Sequence, residues 1–476
     1  MNIKITLNKD TDIYKQIYLY FKEEILVERF KVNDKLPSIR QIANKLKINN
    51  ITVLKAYSLL ETDGYIYKVK GSGSFVKNIN LNNTCTLQKP ILENFKGGQI
   101  KINSNINFAS ATPNKEIFPT KIFQNIISDL FLGDAPDLFI YEDSQGNFDL
   151  RKNIANLLKK EIKNISHREI QIINGAQQGL DLLKKGIIKN SSTIVLGSPT
   201  YSSAITTFSN FCKIKTVPVQ ADGFDMAALE DLLRSSKIDY IYVMTNFQSP
   251  TGYKWSKDKK TKLLNLAEEY NFYILEDDCL SELYYHDIST SSIKSIDFND
   301  KVFYINTFSK VIMPGLRLGY LIPPKKFISS VINSKFISDI SSCNLSQKSL
   351  NVFLENHYEE HLSKIRSFYK KKYELVKSLI FKSKFLKLDY LPEGGFYFWV
   401  SIVNNLNCDL LYMKFKERGV NVLPGNVFFY KKTSSNKIRI SFAAVSEDEI
   451  ILGFKIIEET IYEIIHEGEN TYTPLI

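Results

Sequence analysis

From about residue 107 onward the chain alternates short apolar runs with stretches of helical length, and that alternation restricts it to a sheet wound with helices. The runs lie at 193–196, 240–244, 272–275 and 302–305. Sheets of this class gather their ligands at the carboxyl ends of the strands, so residues that directly follow these runs are the first candidates for chemistry. No uninterrupted apolar run of about 18 residues occurs. The opening MNIKITLNKD lacks the apolar core of a secretory signal. Both features argue against export or membrane spanning, and the expected location is the cytoplasm. Five scattered cysteines, Cys85, Cys212, Cys279, Cys343 and Cys408, include no Cys-x-x-Cys pair and make an odd total. Reduced thiols are expected, with no disulfide framework and no metal site. His357 and His361 stand at helical spacing, but the zinc-protease motif needs glutamate directly after the first histidine, and this charged stretch reads as a solvated helix face.

Behind the run at 302–305, a lysine flanked by hydroxyl residues stands seven residues before an arginine, across a Pro314-Gly315 turn. Lys310 offers an amine for a Schiff base. Arg317, Thr307 and Ser309 offer a fixed cation and hydroxyl donors for a phosphate dianion. Pyridoxal 5'-phosphate (PLP) carries both an aldehyde and a phosphate, and the spacing suits one such molecule. Gly175-Ala176-Gln177 follows a short run at 170–173 and opens a helix, whose unpaired amides can receive a phosphate. Asp277, within Glu276-Asp277-Asp278 at the end of another run, can hold a proton on the pyridine nitrogen and so strengthen the ring as an electron sink. Asp278 is a candidate cap for the helix after it. Tyr201, after Ser198-Pro199-Thr200, can stack on the ring face.

Thr307-Phe-Ser-Lys310 followed by Pro314-Gly-Leu-Arg-Leu-Gly-Tyr320 resembles the Schiff-base lysine motif of fold-type I aminotransferases in its regulator-associated form. Gly175-Ala-Gln-Gln, Pro199-x-Tyr201, Pro250-Thr-Gly252 and Glu276-Asp-Asp with Ser281-Glu282 occur in that family's order. The resemblance implies that Arg439, in Ile438-Arg439-Ile440, grips a substrate or effector carboxylate. It also implies that Tyr141, Asp143, Gly146 and Leu150-Arg151 lie at a subunit boundary. Two residues depart from the pattern. Cys279 stands where the family usually has a tyrosine that donates to the cofactor's ring oxygen, and a thiol is the poorer donor. Ser249 replaces an asparagine common before Pro-Thr-Gly, with Gln248 a candidate substitute. Both departures weaken the expectation of efficient turnover.

The net charge is +11, and residues 1–78 hold 14 Lys+Arg against 8 Asp+Glu, an excess of +6. A basic N-terminal module suggests a polyanionic partner. Ile13, Ile17, Phe21 and Ile25 form an apolar stripe at helical spacing. Ser38 can cap a second helix carrying Ile39, Ile42, Ala43 and Leu46, and the short turn 47–50 leads to a third helix ending near Gly64. Two strands around Lys70-Gly71-Ser72-Gly73 then make a wing. Thr52, Lys55 and Tyr57 lie where a recognition helix presents side chains to a major groove, and Lys45, Lys47 and Lys70 add phosphate contacts. Ile13-Tyr-Lys-Gln-Ile17, Leu36-Pro-Ser-Ile-Arg40, Thr52-Val53 with Ala56-Tyr57, and Gly71-Ser-Gly-Ser-Phe-Val76 resemble the GntR-type winged helix. That resemblance implies DNA contact by Arg40, Thr52 and Gly73. Asn49-Asn50 stands where the family commonly has Ser-Arg. The candidate DNA-binding residues are therefore Ser38, Arg40, Asn50, Thr52, Lys55, Lys70 and Gly73.

The expected organisation is a winged helix-turn-helix domain at 1–78, a linker at 79–106 and an α/β aminotransferase-like body at 107–476. That body comprises a large α/β/α domain and a smaller C-terminal α+β domain from about residue 336. The combination resembles the MocR-type regulators of the GntR superfamily. It implies a head-to-tail homodimer that binds a double-stranded DNA operator and senses an amine, an amino acid or PLP. An amine exchanging with Lys310 would free the lysine and let Arg439 engage a carboxylate. The alternative expectation is a working aminotransferase of a 2-amino acid with an accessory DNA-binding domain.

Overall fold

The computed structural model describes residues 12–26, 30–31, 33–62, 65–69, 72–77, 106–133, 135–403, 406, 408–431, 433 and 435–467. Two compact units divide between residues 94 and 95.

In the first unit, α1 (Ile13–Leu26) turns Ile17, Phe21 and Ile25 inward, while Ile13 sits at the edge of the core. Ser38 starts α2 (Ile39–Leu46) with a capping box: its Oγ accepts from Gln41 N, and Gln41 Oε1 accepts from Ser38 N. Lys47, in the left-handed region at φ 53°, ends that helix. Asn49 Oδ1 accepts from Ile51 N as α3 (Asn50–Thr62) begins. Strands β1 (Ile66–Val69) and β2 (Gly73–Val76) form the wing, with Val69 opposite Gly73. Gly73 holds φ +126°, which a side chain would strain, and a Cβ there would sit 3.0 Å from Lys35 Cε. Tyr57 differs from its expected outward role. With Val53, Ala56 and Leu60 it forms the inner face of α3, and its hydroxyl donates to Pro37 O at 2.8 Å.

In the second unit, β3 (Ile106–Asn107) pairs in parallel with residues 420–421, so Ile106, expected in the linker, already belongs to this unit; the rest of that linker lies outside the described residues. The main sheet uses β4 (Gln171–Ile173), β5 (Thr193–Ser198), β6 (Lys213–Gln220), β7 (Gly223–Phe224), β8 (Tyr240–Val243), β9 (Tyr273–Asp277), β10 (Val302–Thr307) and β11 (Gly319–Ile322). Their spatial order is β4-β11-β10-β9-β8-β5-β6-β7. β10, β9, β8, β5 and β6 run parallel, whereas β11 is antiparallel to both of its neighbours. Side chains alternate between two cores. Leu196, Tyr242, Leu275 and Ile305 pack on one face, and Val195, Ile241, Ile274 and Val302 on the other. Apolar residues on both faces explain why these strands read as unbroken apolar runs.

Helix α4 (Ala176–Gly186) follows β4 and packs on the first of these faces with α5 (Ile328–Asp339). The expected start of the smaller domain, about residue 336, falls inside α5, which ends at Ile340 with φ 64°. A four-stranded antiparallel sheet contains Leu386–Leu388, Tyr397–Ile402, Leu423–Pro424 and Lys437–Ser441. The long helix α6 (Tyr358–Lys382) carries His361. His361 is buried, with Nε2 2.9 Å from Val311 O, which corrects its reading as a solvated residue. Leu362, Ile365 and Tyr369 share the inward face, and their packing overrides the charged local sequence.

Candidate cofactor site and nucleic-acid interface

The parallel strands deliver the site from their carboxyl ends. Tyr201 follows β5, the turn with Ser249 follows β8, Asp277 ends β9, and Thr307 ends β10 just before Lys310. Asp277 is 2 % exposed, and its Oδ2 accepts from Tyr242 OH at 2.9 Å. The Cys279 thiol donates to Asp277 Oδ1. Burial raises the Asp277 carboxyl above its ordinary pKa, and these two donors pull it back. Burial also pushes the Cys279 thiol well up, with the adjacent carboxylate adding to the shift, so sulfur stays protonated and donates. Burial raises the Tyr201 phenol too, beside Asp277, Tyr397 and Cys279. Lys310 donates from Nζ to Ala111 O at 3.0 Å. Loss of hydration lowers the lysine's pKa, opposed by Cys279 and Asp277 and assisted by Arg439 and Arg317.

After β4, which only β11 separates from the lysine strand β10, Gly175 precedes α4 at φ +82°, and no side chain caps that helix. Arg317 donates from Nη2 to Asn174 O at 2.8 Å. A Cβ on Gly175 would meet the same nitrogen at 3.1 Å, so the bare glycine lets cation and helix start adjoin. Thr307 Oγ1 lies 3.0 Å from Ser309 Oγ and 3.1 Å from Leu318 O. Gln177 turns its side chain to Thr207 Oγ1, leaving its backbone amide as its contribution at the helix start. An uncapped helix start, a guanidinium, a buried carboxylate and a half-buried amine match the phosphate, pyridine nitrogen and aldehyde of PLP. The residues present therefore fit that group. Gly175, the Ala176 and Gln177 amides, Thr307, Ser309 and Arg317 would hold its phosphate, Asp277 its ring nitrogen and Tyr201 its face.

Arg439 is 2 % exposed. Its Nη1 donates to Ser249 Oγ at 3.2 Å and its Nη2 to Ala109 O at 2.6 Å. The guanidinium carbon lies 4.4 Å from the Tyr397 ring centroid. Its Nε has no partner, and among the described residues no carboxylate pairs with it. Burial lowers its pKa from the ordinary arginine range. A buried cation held only by neutral acceptors and rings is poised for an anion.

On the first unit, Arg40, Asn50 and Lys55 are exposed and Thr52 is half-buried. Lys55 Nζ lies over the Tyr14 ring at 3.9 Å. Ser38 is exposed but serves the helix cap, and Gly73 stands at the wing. Lys70 lies outside the described residues.

The aminotransferase class I and II model matches residues 99–452, and the model for bacterial regulatory proteins of the gntR family matches residues 13–76. The chain belongs to the aminotransferase class I and II family. It carries a gntR-family domain ahead of that body, the pairing of the MocR-type regulators. It is 29 % identical over 463 residues to the uncharacterized HTH-type transcriptional regulator YdfD of Bacillus subtilis, covering 92 % of this chain and 94 % of that one. It is 29 % identical over 374 residues to aromatic-amino-acid aminotransferase 1 of Thermococcus litoralis, covering 76 % and 89 %. Among solved structures, Pyrococcus horikoshii kynurenine aminotransferase in complex with PMP superposes with a TM-score of 0.74 at 27 % identity, covering 81 % of this chain and 98 % of that one. The protein is a DNA-binding regulator with an aminotransferase-like domain.

Within this aminotransferase-like body, several contributors went unread in the sequence. Tyr242 sits on a strand whose neighbours are all buried, and nothing in the run marks its hydroxyl for Asp277. Asn174 holds Arg317 through a backbone carbonyl; its place between β4 and the glycine was the available signal. Asp278 differs from its expected capping role. Its Oδ1 accepts from Asn246 and its Oδ2 from Tyr304, both inside the protein. Gln248 directs Nε2 to Pro199 O and accepts from Thr251, so it steadies its own turn. Ser249 is the residue that reaches Arg439. Among the described residues no helix is long and apolar enough to cross a membrane.

Proposed function

We propose that this DNA-binding regulator holds PLP on Lys310 and senses an amine, an amino acid or PLP itself through that site. The observation that carries the reading is Arg439, a buried guanidinium with an unpartnered Nε and, among the described residues, no carboxylate; it and Lys310 bond backbone carbonyls of one short stretch, those of Ala109 and Ala111. An amine and a carboxylate recognised together describe an amino acid. When bound, PLP supplies an aldehyde that exchanges amines and a ring that draws electrons from bonds at the attached amine carbon. Lys310 supplies the attachment point, and its lowered pKa keeps more of it neutral at a given pH than an ordinary lysine. Asp277 holds a proton toward the ring nitrogen, while Tyr242 and Cys279 fix the carboxylate. Arg439 orients the carboxylate of an incoming amino acid.

The match to YdfD over both parts of the chain favours regulation as the role of the site. The Thermococcus aminotransferase accounts for a smaller share of the chain, yet Lys310, Asp277 and Arg439 together keep transamination of a 2-amino acid as the second reading. Tyr141, in the segment whose family resemblance implies a subunit boundary, is exposed next to the exposed Phe139 and Ile140, which supports a head-to-tail homodimer. A DNA partner makes the cytoplasm the place of action. Adding single amines and amino acids to the PLP-loaded protein, while following cofactor absorbance and DNA affinity, tests the proposal. Ligands that change the spectrum are expected to change DNA affinity, because regulation needs different affinities in two states. Spectral change with repeated turnover of a 2-oxo acid acceptor and constant DNA affinity would replace the regulator reading by the enzyme.

A further inference from the structure

The outward face of α3 contains an aliphatic pair in a unit that also exposes several cations. Ile51 is 69 % exposed and Leu54 45 % exposed, while Val53, Ala56, Tyr57 and Leu60 fill the opposite face. Asn50 is exposed beside Ile51. Asn49 Oδ1 is bonded to Ile51 N, so Asn49 serves the helix start and Asn50 is the outward amide. Arg40, Lys45, Lys47 and Lys55 are also exposed in this unit. Lys55 lies over the Tyr14 ring, drawn toward α1.

Single exposed aliphatic residues are ordinary on protein surfaces. Two of them at i and i+3, at the start of the helix that a gntR-family domain offers to DNA, need an apolar counterpart in the partner. Cations suit the phosphates that border the major groove. The apolar feature on the floor of that groove is the thymine C5-methyl, and an asparagine amide pairs with the N6/N7 edge of adenine. We propose that Ile51 and Leu54 read thymine methyl groups and Asn50 an adjacent adenine, so that the operator half-site presents A·T pairs to the start of α3. This inference rests on the DNA-binding reading and specifies its sequence chemistry.

The test uses the full chain and duplexes that it enriches from a random pool, resynthesised with deoxyuridine in place of thymidine and measured at fixed salt. Each contacted methyl removed is expected to weaken binding about fourfold, the worth of one buried apolar carbon. Ile51→Ala and Leu54→Ala, both at exposed positions, are expected to reduce the thymidine preference. Arg40→Ala is expected to weaken both duplex forms equally and keep that preference. Equal binding of thymidine and deoxyuridine duplexes by the wild-type protein overturns the inference, as does enrichment of G·C pairs at these positions. Failure of the wild-type protein to enrich any duplex overturns the DNA-binding reading itself.

Discussion

Replacing Arg439 by methionine keeps an unbranched, apolar side chain of similar reach and removes the guanidinium. Nη1 and Nη2 each commit one N–H to Ser249 Oγ and Ala109 O, so an arriving carboxylate gains at the least the free Nε donor and the charge. One hydrogen bond to a charged group is worth about 1.5–3 kcal/mol. That corresponds to an affinity advantage of roughly 10- to 150-fold for an amino acid over its decarboxylated amine. Thermal unfolding supplies the assay. Free ligand at 100 times its Kd stabilises by about 2.7 kcal/mol. Unfolding entropy of about 2.1 cal/mol/K per residue, over about 360 residues from Ile106 to Glu467, gives roughly 0.75 kcal/mol per degree. The wild-type protein is therefore expected to gain about 3–4 °C with an amino acid at that level, and less with the amine at the same concentration. The Arg439→Met protein is expected to respond to both alike. A variant that still prefers the amino acid, or a wild type that binds both equally, refutes the assigned role of Arg439.

Loading of PLP should accelerate with pH, because the neutral amine of Lys310 is the attacking form; burial lowers its pKa, so the midpoint of the rate is expected below 10.5, read by stopped-flow absorbance. Tyr57→Phe removes the donor to the Pro37 carbonyl and is expected to destabilise the first unit by about 1–2 kcal/mol in chemical denaturation. Asp339→Ala leaves the fully buried Lys335 without its carboxylate, 2.7 Å away, at an expected cost of about 3 kcal/mol, and a second change, Lys335→Met, should restore much of it in the same denaturation assay.

Strands β5, β8, β9 and β10 were legible because each is buried on both faces, which leaves an unbroken apolar run in the sequence, whereas β6, exposed or half-buried along most of its length, leaves none. The capped start of α2 was legible because Ser38 and Gln41 are three residues apart and interact locally. Lys310 and Arg317 lie within one short segment, so their chemistry survives in linear order. Arg439 and Ser249 are 190 residues apart, and no periodicity links them. The carbonyls of Ala109 and Ala111, which hold Arg439 and Lys310, are backbone atoms that residue identity does not reveal. Tyr57 was expected at a DNA groove from its place on the third helix, and His361 in water from the charged stretch around it; both side chains instead sit on inward helix faces and meet backbone carbonyls there.

The attachment of PLP to Lys310 is tested most directly by incubating the protein with PLP, reducing with borohydride and mapping the modified peptide by mass spectrometry. Attachment at Lys310 requires a pyridoxyl group on that residue. An unmodified Lys310, with the adduct absent or on another lysine, contradicts it.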